Sequence, residues 1–282
     1  MPRLMRDVAC VLGLAAILAG PAAAADGPAG RIVSIGGAVT EIIYALGQQD
    51  RIIARDTTSN FPPEVTGLPD VGYARALSPE GVLSVAPDLI IAEENAGPPE
   101  TIEVLEAAGV TFVKVPESYT IDGVARKILT VGDALGQPVA AQALAEDVTA
   151  RLQAATRPVT GDAPGVLFIL SAADGRIMAG GAGTSADGII AMAGGRNVMD
   201  GIQGYKPVSD EAIARANPDV VLMMDRVGDH GLTDEALFAM PAISTTAAAE
   251  TGRVIRMDGM LLLGFGPRVA EAVSALSSAL HE

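Results

Sequence analysis

GYARALSPEGVLSVAPDLIIAE, residues 72–93, and GYKPVSDEAIARANPDVVLMM, residues 204–224, are two versions of one phrase. In the first, Gly72-Tyr73 is followed by Ser78-x-Glu80, then Pro87-Asp88 and an apolar run. In the second, Gly204-Tyr205 leads to Ser209-x-Glu211, Pro218-Asp219 and another apolar run. The step from Glu80 to Pro87 has the same length as the step from Glu211 to Pro218. Ser-x-Glu is helix-start chemistry: the hydroxyl caps the first turn, and the helix dipole favours a carboxylate there. Pro-Asp then ends the helix before a buried strand. A helix–strand unit repeated in this order predicts two lobes built on one plan.

Working outward, 31–36, 51–55, 88–93 and 111–116 read as short buried strands. Helical patterns lie between them at 38–47, 78–86 and 98–109. Strand–helix alternation with continuously apolar strands predicts a parallel sheet covered on both faces. A second alternating set runs from 165–171 through 187–195 and 210–224 to 253–259. Between the sets, helical spacing extends over Ile121–Leu135, breaks at Gly136-Gln137-Pro138 and resumes to about Arg157. The expected fold is therefore α/β: two Rossmann-like lobes with parallel-rich sheets, joined by a long rigid helix, with a ligand cleft between them. The expected divisions are 26–137 for the N-terminal lobe, 138–157 for the linking helix and 158–282 for the C-terminal lobe.

Residues 1–25 have the layout of a cleavable secretory signal. Arg3 and Arg6 precede the apolar stretch 8–20, and Ala23-Ala24-Ala25 offers the cleavage site. The apolar stretch is too short for a membrane span. The single cysteine, Cys10, lies inside this leader, so the mature chain is expected to hold no disulfide and no thiol nucleophile. The net charge of −15 argues against nucleic acid and anionic membrane surfaces as partners. A monomer exported to the periplasm, and not inserted in a membrane after cleavage, fits these properties.

Catalytic signals are sparse. The chain has two histidines, His230 and His281, so a zinc or manganese site built from several imidazoles is not expected. A serine hydrolase would depend on His230, and no Gly-x-Ser-x-Gly elbow occurs. GAGTSA, 181–186, reads as a glycine-rich loop rather than a dinucleotide fingerprint, because it does not directly follow the strand at 165–171. No enzyme activity is expected.

Tyr73 with Arg75 is the remaining unusual pair. A phenol ordinarily ionises near pH 10 and becomes a good ligand only when a metal or cation stabilises the phenolate. Ferric iron is such a metal, and tyrosine is an axial ligand to haem in some proteins. An arginine two residues away can hydrogen-bond the phenolate, and in an extended segment the two side chains share a face. The alternative is a loop tyrosine packed on apolar surface. Glu80 and Glu211 have a bland role as first-turn carboxylates, and a sharper one as a matched surface pair.

The chain resembles the periplasmic haem-binding proteins of bacterial ABC haem importers. The likeness covers essentially the whole mature chain. It rests on Asp56-Thr57-Thr58-Ser59, Gly72-Tyr73-x-Arg75 and Gly264-Phe265-Gly266-Pro267-Arg268. These carriers belong to the helix-linked two-lobe proteins that also include cobalamin and ferric-siderophore carriers. The resemblance implies ferric haem as transported ligand, Tyr73 as iron ligand and Arg75 as its support. It implies an ABC permease dimer with a cytoplasmic ATPase as partner, docked through Glu80 and Glu211. Many relatives have tyrosine where this chain has Phe61, and some supply a histidine from a second-lobe loop that here has none. A five-coordinate iron, or water, a second haem or Met178 as sixth ligand, all remain open. Gly181, Met178, Leu262 and Phe265 are expected to line the pocket. The rivals are the same scaffold with cobalamin or a ferric siderophore and, more remotely, an exported hydrolase using His230.

Overall fold

The computed structural model describes residues 30–173, 175–225 and 232–282. The first lobe alternates β1 (Ile32–Ile35), α1 (Gly37–Ala45), β2 (Ile52–Arg55), α2 (Pro79–Leu83), β3 (Leu89–Glu93), α3 (Pro99–Ala107) and β4 (Thr111–Val115). Its sheet has the order β2-β1-β3-β4 and every pairing is parallel. β1 is buried at all four positions and β3 at four of five, as strands covered on both faces must be.

Next come α4 (Ile121–Leu135) and α5 (Pro138–Ala155). Gly136 ends α4 in the left-handed region, φ 71°, where a side chain would be strained, and Pro138 opens α5. Both breaks stand where the sequence places them.

The second lobe holds β5 (Gly165–Ala173), β6 (Arg176–Gly180), α6 (Ser185–Met192), β7 (Arg196–Asn197), β8 (Tyr205–Val208), α7 (Asp210–Ala216) and β9 (Val220–Asp225). It continues with α8 (Asp234–Phe238), α9 (Ala247–Thr251), β10 (Val254–Asp258), α10 (Gly259–Leu263) and α11 (Val269–His281). Its sheet runs β10-β9-β5-β6-β8, with β7 beside β5. β10, β9, β5 and β7 pair in parallel, but β6 and β8 are antiparallel additions. The second sheet is thus mixed. The reason is local: β5 turns back on itself into β6 with no crossover helix, which only an antiparallel pair allows. β8 then lies on the outer edge, where Pro207 can sit because no neighbour needs its missing N–H.

One apolar core is continuous from lobe to lobe. It joins Ile42 and Ile91 of the first lobe, Ile128 and Val148 of α4 and α5, and Phe168, Leu262 and Leu276 of the second. Each sheet has a smaller core on its outer face. A shared core with two packed helices beside it resists large rearrangement of one lobe against the other. No helix among the described residues is long and apolar enough to cross a membrane.

Candidate functional site

The first-lobe wall begins with Asp56, fully buried just beyond β2. Its carboxylate accepts from the Gly36 amide at 2.8 Å, the Thr58 amide at 2.8 Å and the Ser59 hydroxyl at 2.6 Å. Ser59 continues through Thr40 to Ser34, so this chain of hydroxyls ties the loop after β2 to β1 and α1. The Asp-Thr-Thr-Ser segment is therefore a brace, and it leaves Thr58 and Asn60 on the cleft.

The loop bearing Tyr73 is fixed from both sides. Asp70 accepts from the Gly72 amide at 2.8 Å and pairs with Arg55 at 3.0 Å. Gly72 has φ 106°, a conformation that glycine adopts without strain. On the other side, Ala74 is buried and its carbonyl accepts from the Gly97 amide at 2.9 Å. The segment is a turn rather than an extended strand: the Ala76 amide donates to the Tyr73 carbonyl at 2.8 Å. The turn still sends Tyr73 and Arg75 to the cleft, with Ala74 anchored between them. Tyr73 is 46% exposed. Among the described residues, neither the Tyr73 hydroxyl nor the Arg75 guanidinium has a hydrogen-bond or ion-pair partner.

On the same wall lies a partly buried charge network. Lys127 of α4, fully buried, donates to Glu117 Oε1 at 2.6 Å. Tyr119 donates its hydroxyl to Glu117 Oε2 at 2.9 Å, and its ring meets Phe265 edge-on at 5.1 Å between centroids. Burial, and the Glu117 charge that accepts its proton, raise the Tyr119 phenol well above its ordinary range. Glu93, at the C-terminal end of β3, is pushed up to about 7, chiefly by burial and against the attraction of Lys127. Open α/β sheets bind ligands beyond the carboxyl ends of their strands, and Glu93 stands there.

The cleft between the lobes has a volume of about 450 Å³. Tyr73, Arg75, Glu93, Glu117 and Tyr119 face it from the first lobe. Ser185, Tyr205, Met224, Asp225, Asp258 and Met260 face it from the second, with Leu170, Leu263 and Gly264 as apolar or backbone surface. Three of the chain's four tyrosines meet at this one opening. Their hydroxyls differ: Tyr119 is committed to Glu117, Tyr205 is shared with Ser185 at 2.9 Å, and Tyr73 is unpartnered among the described residues.

The expected lining needs correction. Leu262 and Phe265 are fully buried, so Met260, Leu263 and Gly264 form that wall instead. Phe265 has φ 50°, which turns its ring inward against Tyr119. Gly181 is not at the cleft; a Cβ there would lie 2.2 Å from the Ile202 carbonyl oxygen, so the glycine serves loop packing. Met178, in the β6 ladder opposite Pro207, is also absent from the lining. Phe61 lies instead under the Arg268 guanidinium, 3.5 Å from ring centroid to carbon, and Arg268 forks onto Glu41. The Gly-Phe-Gly-Pro-Arg segment is in this way a lobe-to-lobe clamp.

Glu80 and Glu211 are both exposed in the first turns of α2 and α7. Ser78 Oγ accepts from the Gly81 amide at 3.0 Å, and Ser209 Oγ from the Ala212 amide at 3.3 Å. The repeat is thus structurally real down to its caps. At Glu211, backbone and Ser209 hydrogen bonds hold the carboxyl below its ordinary value. His230 and the leader 1–25, with Cys10, lie outside the described residues. Sequence reasoning missed Glu93, Glu117, Tyr119 and Lys127, which converge from β3, the loop after β4, and α4. Tyr205 was already visible as the echo of Tyr73.

Residues 32–261 match the family model described as periplasmic binding protein. Among solved structures, the chain is similar to a periplasmic heme-binding protein, RhuT, from Roseiflexus sp. RS-1. Identity is 38%, over 89% of this chain and 97% of that one, with a TM-score of 0.81. It is 28% identical to an ABC transporter substrate-binding lipoprotein, YvrC, of Bacillus subtilis, over 89% of this chain and 80% of that protein. It is 27% identical to a cobalamin-binding protein of Halobacterium salinarum, over 89% of this chain and 69% of that protein.

Proposed function

Because this chain belongs to the periplasmic binding protein family, a family of substrate-binding transport proteins rather than enzymes, we propose that it captures ferric haem and delivers it to an ABC permease. The observation that carries this reading is the Tyr73–Arg75 pair, a phenol beside a cation in the inter-lobe cleft, neither with a hydrogen-bond or ion-pair partner among the described residues. Ferric iron supplies what the phenol lacks, a Lewis acid that holds it as phenolate, and Arg75 adds a hydrogen bond to the same oxygen. Tyr119 is unsuited to the task, since burial disfavours its ionised form and its proton is engaged with Glu117.

The remaining parts of the proposal follow from position. Residues 1–25 direct export and are removed, leaving a monomer in the periplasm. Lobes at 26–137 and 158–282, bridged by 138–157, present Glu80 and Glu211 to the two halves of a permease dimer. Neither glutamate is among the cleft-lining residues, so docking and ligand binding can be tested apart.

Titration of the mature protein with hemin tests the reading. The expected result is a tight complex with a high-spin, tyrosinate-type visible spectrum that Tyr73→Phe abolishes. Cyanocobalamin, the ligand class of one relative, should not compete. Tight binding of cyanocobalamin, or a hemin spectrum unchanged in Tyr73→Phe, would overturn it.

A further inference from the structure

The second-lobe wall carries a hydroxyl pair that meets the cleft from the side opposite Tyr73. Ser185 Oγ and Tyr205 Oη lie 2.9 Å apart and both residues line the opening. Ser185 opens α6 and is only 5% exposed, so its side chain is fixed by its surroundings. Tyr205 opens β8, its ring held edge-on by Phe168 at 6.2 Å. Two hydroxyls have two hydrogens and share one between them, which leaves one donor free for a third group.

What that group is follows from the charges around it. Arg75 stands two residues after Tyr73, but the corresponding residue after Tyr205 is Pro207. Among the described cleft-lining residues, the second lobe contributes no lysine or arginine. With no cation at hand, the pair offers hydrogen-bond donation rather than an anionic metal ligand. The second-lobe carboxylates, Asp225 and Asp258, lie side by side in register at the ends of β9 and β10. β8 is three strands from β9 across the sheet, roughly 14 Å at the usual strand spacing. An anionic edge of a ligand is therefore repelled at the β9–β10 end and offered a donor at the β8 end.

We propose that Ser185 and Tyr205 hold a carboxylate of the bound ligand, the propionate edge of a haem, from the second lobe. This rests on the haem reading above. The same phrase that gives the first lobe its iron contact gives the second lobe a contact for the ligand's acidic edge.

The test compares hemin with hemin dimethyl ester on the wild type, Tyr205→Phe and Ser185→Ala. Tyr205→Phe keeps the ring and removes the hydroxyl. It should weaken hemin roughly tenfold, the size of one hydrogen bond to a charged group. Affinity for the ester and the iron spectrum should not change. Ser185→Ala should act in the same direction, and equal melting temperatures would show that both variants fold. Equal weakening of both ligands, a changed iron spectrum, or unchanged hemin affinity in both variants would each overturn the assignment. Failure of the wild type to bind hemin at all would instead overturn the haem reading, and this inference with it.

Discussion

On the first-lobe wall of the cleft, Gly72-Tyr73 lies in a loop, braced by Asp70 and Ala74, with an arginine on the cleft two residues on. On the second-lobe wall, Gly204-Tyr205 enters a strand, pairs with Gly180 across the β6–β8 ladder and has a proline two residues on. Both copies then enter a Ser-capped helix with an exposed glutamate in its first turn. The shared part of the phrase sets backbone and outer surface, and the unshared part sets chemistry. A loop tolerates an exposed phenol beside a cation. An edge strand holds its tyrosine by ladder and ring contacts, with the hydroxyl tied to Ser185.

The comparison breaks first at Tyr73. Tyr73→Phe removes the proposed iron contact and should weaken hemin more than 100-fold, above the roughly 10–100-fold that loss of a supporting group costs. Visible titration measures both affinity and the lost tyrosinate band. Arg75→Gln should fall within that 10–100-fold range, with the band kept but displaced. If Arg75→Gln left affinity untouched, the two tyrosines would no longer differ by their neighbours. The paired reversal Glu80→Lys with Glu211→Lys should lower haem uptake by reconstituted transporter by about tenfold or more. Its hemin affinity should equal wild type; weaker binding would contradict a docking role.

The smallest effect sharpens the electrostatics of the first-lobe wall. Glu93 has its carboxyl raised to about 7 from an ordinary value of 4.5. A raised carboxyl favours the folded state while protonated, below its unfolded value, and that contribution is lost as pH rises through 7. Melting temperature should therefore fall between pH 5 and 8 more steeply in wild type than in Glu93→Gln, which cannot ionise. Parallel melting curves for the two proteins would show that Glu93 does not titrate in this window.

Much of the architecture was legible because it is local. Largely apolar runs at 32–35 and 89–93 announce strands covered on both faces, and Gly136 with Pro138 marks the break between α4 and α5. The antiparallel strands β6 and β8 escaped notice because RIMAG and YKPV carry no continuous run of β-branched apolar residues, and Pro207 argues against a strand except at an edge. Tyr73, Arg75 and the two helix-start glutamates could be named because each belongs to a contiguous phrase. The pocket lining could not. Leu262 and Leu263 are neighbours of the same type, yet one is buried in the core and the other faces the cleft, a choice made by how α10 is rotated against α6 and α11.

The sequence by itself determined the two-lobe plan, the capped helices and the odd pairing of a tyrosine with an arginine, since spacing and residue type act within a few positions of the chain. Only the tertiary structure decided that Lys127, Glu117 and Tyr119 form one partly buried network, and that Tyr205 shares a cleft with Tyr73. The first depends on how α4 packs beside the loop after β4, which no residue pattern there announces. The second depends on the common core that locks one lobe against the other, which no local pattern encodes.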